Sequence, residues 1–473
     1  MRPVLSCLLL AHLAAGPIAA QRPDSLAEEV RKYVSVDTAV IALTHVLLLD
    51  GTGAEPRPDQ TVLLRAGRIA EVGAAAQVRV PDGALTMDLS GHTLIPGLIG
   101  MHDHLFYTAA GGRAVQMSYT GPRLYLASGV TTIRTAGGRS IYAEINLHDN
   151  IDRGLVPGPR IHLTAPYITG AAGGGSMDVV TSPDEARRFV AYWASEGVTW
   201  LKAYTDIRRA ELGAAIKEAH RRGVKVTGHL CSVSFREAVE LGIDNLEHGM
   251  LTASDFDPAK QPDVCPVAQI GRNNQADVTG EVAKNVIATM LKKHVSMTST
   301  LAVYEPFVAN RPVREPRVLT AMAPEVRESY LKLRQEIDSA GGPIALESLR
   351  SAMAFEREFV AAGGLLASGV DPTGVGGALA GYGDQRNYEL FIEAGFTPPQ
   401  AIKIMTANGA KILGVDGRLG TVERGKLADL VVLRGDLTHD PTVIRGPTVV
   451  FKDGIGYDPA KLIASVEGRV GID

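Results

Sequence analysis

The sequence is short of cysteine, of aromatic residues and of excess charge, and each shortage excludes something. Three cysteines among 473 residues cannot frame a disulfide scaffold, and no two of them make the Cys-x-x-Cys pair of a structural zinc site. Lysine and arginine total 48 against 52 aspartates and glutamates, a net charge of −4. With no long basic run either, nucleic-acid binding has no electrostatic footprint. Aromatics make up 5% while glycines number 51, which suits tight turns and short strand–helix connections rather than an aromatic-rich binding module. Beyond the first twenty residues, no apolar stretch approaches the ~20 residues that span a bilayer. What is plentiful is core material: 45% hydrophobic against 21% charged, enough to exclude a disordered chain. At about 100–200 residues per domain, the length implies two or three domains, or one large barrel with an appendage.

Residues 1–20 read as a targeting segment. Arg2 gives a positive start, Val4 to Ala15 an apolar middle, and Gly16-Pro17-Ile18-Ala19-Ala20 a small-residue exit, the three-part pattern of a cleavable secretory signal. The alternative is a buried N-terminal helix. Cleavage after Ala20 would remove Cys7, which lies too near the start to be a lipid-attachment cysteine. The mature protein is then expected outside the cytoplasm, periplasmic or secreted. It would keep Cys231 and Cys265, which could pair or remain thiols.

Residues 26–35 suggest a short amphipathic helix. Residues 36–93 read as β: Ala39–Leu49, Gln60–Glu71 and Ala84–Leu89 carry Val, Ile and Leu between Gly, Pro and Asp turn signals. Lys426–Arg434 and Pro447–Ile455 echo this composition at the far end. Residues 36–93 and 415–473 are therefore expected to build one small β-sandwich from both chain ends. Between them, residues 94–414 alternate strand and helix. Candidate strands are Leu98–His104, Val130–Thr135, Arg160–Thr164, Thr199–Tyr204, Lys225–His229, Asn245–His248, Ser296–Thr300 and Leu365–Asp371. Helices are expected at Arg209–Arg222, at Phe235–Leu241 and after Ser182, an N-cap followed by Pro183 at the first helical position. Eight strands alternating with helices predict an α/β fold, a (β/α)8 TIM barrel. Residues 251–280, 302–343 and 372–384 exceed ordinary connections and would lie over the barrel mouth.

His102-Asp103-His104 is the strongest chemical signal. Alternate residues of a strand project to one side, so His102 and His104 can grip one metal ion while Asp103 points away. His229, His248 and Asp371 each close a candidate strand, where catalytic groups of such barrels gather. Singly, each has a plain structural alternative: a core histidine, a loop histidine, a turn or helix cap. Together, in barrel order, they point to a metal centre. Lys202 closes the fourth strand. A buried, unpaired ammonium tends to lose its proton, and the neutral amine can react with carbon dioxide to give a carbamate, a two-oxygen anionic ligand. The alternatives are a lysine reaching the rim or pairing with Asp206.

With those residues, the chain resembles the amidohydrolase superfamily, in its branch of imidazolonepropionase-like enzymes and Xaa-Pro dipeptidases. Pro96-Gly97-Leu98-Ile99 before His-x-His, Asn245-Leu246-Glu247-His248-Gly249, and Gly425 to Leu433 carry the likeness, which runs from about residue 37 to 455. The resemblance implies two divalent metals, zinc first, with manganese or cobalt as alternatives. His102, His104 and Asp371 would hold one ion and His229 and His248 the second, with carboxylated Lys202 and a hydroxide bridging them. Asp371 would shuttle a proton to the leaving amine, and Tyr204 would contact substrate. The implied activity is hydrolysis of the amide bond of a dipeptide or N-acyl amino acid. Alternatives are hydrolysis of cyclic amides or of xenobiotic aryl amides such as mycotoxin amides, a mononuclear deaminase, or a metal-free binding protein that kept the barrel. The implied partner is a small-molecule substrate, and homo-oligomers follow by analogy. Two departures stand out. Arg134-Thr135 replaces an Arg-Asp pair, and the loop Gly170 to Ser176 lacks a histidine that helps relatives bind the substrate carboxylate. Arg311, Arg314 or Arg317 could supply an anion contact instead.

Overall fold

A computed structural model describes residues 26–173, 177–266, 276–311 and 315–472. The expected signal segment, Arg314 and the end of the glycine-rich loop lie outside them. The chain adopts an α/β fold around a parallel sheet. In chain order its strands are Leu98–Asp103, Val130–Thr135, Arg160–His162 with Thr164–Thr169, Trp200–Ala203, Lys225–Gly228, Asn245–Glu247, Ser296–Ser299 and Leu366–Ser368. Each pairs in parallel with its sequence neighbour, and Leu366–Ser368 also pairs with Leu98–Asp103 through Ser368 and Gly100. Arg160–His162 and Thr164–Thr169, at opposite ends of the pairing order apart from the short edge strand Asp178–Val179, are separated in the chain by Leu163 alone. All eight positions anticipated from sequence are thus strands; most are trimmed at their ends by one to three residues, while the third is split at Leu163 and runs on to Thr169.

Helices cover the connections for local reasons. Ser182 accepts the Glu185 N–H ahead of Pro183–Ser195. Ser234 and Glu237 form a reciprocal capping box ahead of Phe235–Leu241, which ends at Gly242 with φ of 98°. The long segment after Ser296–Ser299 is mostly helical, in Leu301–Tyr304, Pro316–Ala321 and Pro324–Ala340.

The two chain ends meet in a nine-stranded mixed sheet, where His92–Pro96 pairs antiparallel with Leu430–Arg434 and parallel with Val40–Leu48. Three local expectations are corrected here. Gln60–Glu71 is not one strand but a hairpin of Arg57–Arg65 and Arg68–Ala74. Ala66 (φ 49°) and Gly67 (φ 75°) both turn left-handed between them, as a two-residue hairpin turn demands. Pro447–Ile455 likewise breaks at Asp453 and Gly454. The helix expected over residues 26–35 is only Glu28–Arg31, because Val34–Val36 is taken by the sheet through Ile455–Tyr457.

Arg160 joins the two sheets. Its guanidinium donates to Asp429 (3.0 Å) and to Asp453 (2.7 Å), so Asp429 of the Gly425 to Leu433 motif braces the fold. No helix among the described residues is long and apolar enough to cross a membrane.

Candidate metal centre

The parallel strands bring His102, His104, Lys202, His229, His248 and Asp371 to the floor of one cavity of about 290 Å³. His102 and His104 project to the same side of Leu98–Asp103 and its continuation. Between them Asp103 faces the opposite way and accepts the Val370 N–H at 3.1 Å. It is structural, buried near Asp384, and burial pushes its carboxyl up to about 7.

Two of the site residues hold an unusual backbone. His248 has φ of 66° and Asp371 φ of 49°. Consecutive residues of a strand face opposite ways, so Glu247 and His248 can both point inward only if the chain reverses at His248. The left-handed conformation supplies that reversal, and its strain is the kind concentrated at functional sites. Gly369 is required for another reason: a Cβ there would lie 2.2 Å from the His102 nitrogen.

Three histidines have one ring nitrogen tied down, and His102 and His104 turn the other towards Asp371. His102 Nδ1–H donates to Glu247 Oε2 (2.7 Å) and His104 Nδ1–H to the Gly137 carbonyl (3.0 Å), and His248 Nδ1 shares a hydrogen bond with the Thr300 hydroxyl (2.6 Å). That is how metal-ligating imidazoles are oriented. His248 Nε2 is buried with no hydrogen-bond partner among the described residues. Asp371 completes the first cluster: its carboxylate oxygens lie 3.2 Å from His104 Nε2 and 3.6 Å from His102 Nε2, and these three residues offer ligand atoms within 4.8 Å of one another. The His229 ring sits 4.5 Å from the His248 ring, which is 4.5 Å from that of His102.

Burial, reinforced by the nearby Lys202 charge, lowers the His229 imidazole to about 3 and holds His102 and His248 well below the ordinary histidine range. Neutral imidazoles are the form that binds metal. Lys202 is 1% exposed. Its Nζ lies 3.4 Å from His102 Nε2, and burial lowers its pKa to about 8. Neither plain alternative for Lys202 is realised: it does not reach the rim, and Asp206 bonds to Thr205. A cavity floor of neutral imidazoles, one buried nitrogen without a partner among the described residues, a carboxylate and an amine whose pKa burial lowers fits divalent metal.

Several contributors were not anticipated from sequence. Glu247 is fully buried between His102, Thr227 and Arg134, and Arg134 also stacks 4.7 Å over Trp200. The Arg134 found beside Thr135 is therefore the counter-charge of the carboxylate that orients His102. The i, i+2 placement of Asn245 and Glu247 on one strand was the available signal. Tyr204 lines the cavity as expected, its ring 4.6 Å from that of His229; Tyr167, Tyr304 and Phe106 join it. No sequence pattern singled those out. Two of the three loop arginines do not reach the cavity: Arg311 is bound by Glu305 and Glu393, and Arg317 by Glu315 and Gln385; Arg314 lies outside the described residues. Arg139 borders the cavity instead. Cys231, two residues beyond His229, is bonded to Cys265.

An amidohydrolase family model matches residues 93–456. The chain belongs to the amidohydrolase family. It is thus a hydrolase of carbon–nitrogen bonds. In fold this amidohydrolase is similar to a candidate prolidase from Bifidobacterium longum, with a TM-score of 0.64 and 26% identity over 90% of this chain and 98% of the other. It is similar in fold to an A. niger ochratoxinase, with a TM-score of 0.63 and 18% identity over 92% of this chain and 100% of the other. In sequence it is 26% identical, over 88% of this chain and 92% of the relative, to a candidate guanine deaminase of Deinococcus radiodurans.

Proposed function

We infer that this amidohydrolase is a binuclear metal-dependent enzyme that hydrolyses the amide bond of a dipeptide or N-acyl amino acid. The observation that carries the reading is Lys202: an amine buried among four histidines and Asp371, whose hydrogen-bond contact among the described residues is an imidazole nitrogen. His102, His104 and Asp371 would hold one ion, and His229 and His248 the other. Carboxylated Lys202 would serve both, because carbamate formation turns a costly buried cation into an anion that two cations welcome. When bound, divalent ions such as zinc supply Lewis acidity and lower the pKa of water towards ~7.

The chain's own groups do the rest. Glu247, held by Arg134, fixes the His102 ring; the Gly137 carbonyl and Thr300 fix His104 and His248. Asp371 accepts a proton on its carboxylate and delivers it to the departing nitrogen, since an amine leaves poorly as an anion. Tyr204 holds the substrate against the histidines. The parallel strands over 94–414 are read as a closed (β/α)8 barrel, supported by the single-residue gap at Leu163. The sheet from 36–93 and 415–473 is read as its sandwich appendage. Export is part of the same reading, and the Cys231–Cys265 bridge supports it, because such bonds persist in oxidising compartments.

The guanine deaminase relative brings a mononuclear deaminase forward as the second reading. A single-metal site has no use for a buried bridging lysine, which favours the first. The deciding experiment is elemental analysis of purified protein together with product analysis on linear amides, cyclic amides and guanine. Two metals per chain and amino-acid release support the hydrolase; one metal with ammonia release supports the deaminase.

A further inference from the structure

The wall of the cavity is uneven in charge. Arg139 stands at the rim, in the turn after Val130–Thr135, with its guanidinium carbon 5.1 Å from the centre of the Phe106 ring. Phe106 stacks in turn on His104, ring centres 4.5 Å apart and planes 31° from parallel. Arg139 is thus one ring removed from the histidines, and its fork of donors matches a carboxylate. Counter-charge of the other sign is missing. Among the described residues bordering the cavity, Asp371 is the only carboxylate, and His102 and His104 already face it. The internal stretches outside the description, 174–176, 267–275 and 312–314, contain no aspartate or glutamate. A substrate's α-ammonium would lose water here without gaining an anion, a costly exchange. Tyr167, Tyr304, Val303 and Phe307 offer apolar surface instead.

Resting on the amide-hydrolase reading above, we propose that the substrate is an N-acyl amino acid with an uncharged acyl side and a free carboxylate, and that Arg139 is the residue that reads that carboxylate. This separates two substrates left together above, favouring the acylated amino acid over the dipeptide with a free amine.

The test uses full-length, zinc-loaded enzyme and three matched compounds: N-acetyl-phenylalanine, its carboxamide, and glycyl-phenylalanine with a free amine. The wild type is expected to prefer the first over both others by at least about tenfold in kcat/KM, as one charge-assisted contact allows. R139Q is expected to raise KM for N-acetyl-phenylalanine about tenfold to a hundredfold, with kcat and carboxamide turnover nearly unchanged; R139K should fall between. Equal loss on acid and carboxamide, or faster cleavage of the free-amine dipeptide, overturns the proposal and leaves the hydrolase reading standing. No turnover of any linear amide by wild type overturns both.

Discussion

The Lys202 Nζ lies 3.4 Å from His102 Nε2, inside a cavity floor from which both are almost wholly screened from water. A protonated amine there donates to the same imidazole lone pair that a metal ion would need. Burial already lowers the amine to about 8. On the proposed two-metal reading, carboxylation would remove that competing donor and leave two oxygens for the ions.

Lys202→Ala is therefore expected to lower kcat at least about a hundredfold and to reduce bound metal from two ions towards one. Lys202→Arg should fare no better, because a guanidinium stays protonated. Elemental analysis beside steady-state kinetics checks both; full activity in Lys202→Ala would refute the bridging role.

Glu247→Gln removes the charge that Arg134 and His102 share. Breaking one side of a buried ion pair costs about 3–5 kcal/mol, and loss of an orienting partner weakens metal affinity about 10- to 100-fold. Denaturant unfolding and competition with a chelator should report both losses together. Unchanged metal affinity would deny Glu247 its orienting role.

Opening the Cys231–Cys265 bridge, by reduction or by a double serine variant, is expected to cost about 2–4 kcal/mol, the usual range for a loop of this size; the two cysteines are 34 residues apart. The bridge ties the segment after His229 to the insertion after Asn245–Glu247, so metal retention on heating should drop as well. Thermal unfolding with and without reductant measures it.

Glu356, which packs beside Gly249 but is not itself a candidate ligand, supplies a pH test. Burial beside Ser299 pushes its carboxyl up to about 8, whereas in the unfolded chain it titrates near 4.5. Between those values the folded form keeps a proton that the unfolded form releases. Stability should thus fall as pH rises from about 4.5 to about 8, and level off above. Glu356→Gln should flatten that slope, measured by denaturant midpoints across the window. An unaltered slope would show that Glu356 ionises normally.

The ligand candidates were legible because their signal is local. His102-Asp103-His104 needs only strand alternation, and His229, His248, Lys202 and Asp371 each close an apolar strand-like run. The hairpins were misread for an equally local reason: Ala66-Gly67 and Asp453-Gly454 carry their turns in one or two residues inside longer β-rich stretches. Glu247 and Arg139 were illegible in their roles. Nothing in the order of residues says that Arg134, 113 positions away, neutralises Glu247, or that a rim arginine from one turn shares a wall with Phe106.

By itself the sequence determined the alternation of strand and helix, the positions of the imidazoles and the amine along it, and the near-neutral net charge. Side-chain type and strand period are properties of a few neighbouring residues. Tertiary structure alone decided that Cys231 meets Cys265, that His248 turns inward beside Glu247, and which arginine borders the cavity. Those outcomes depend on which distant strands pack together, and burial and charge arise only once they have done so.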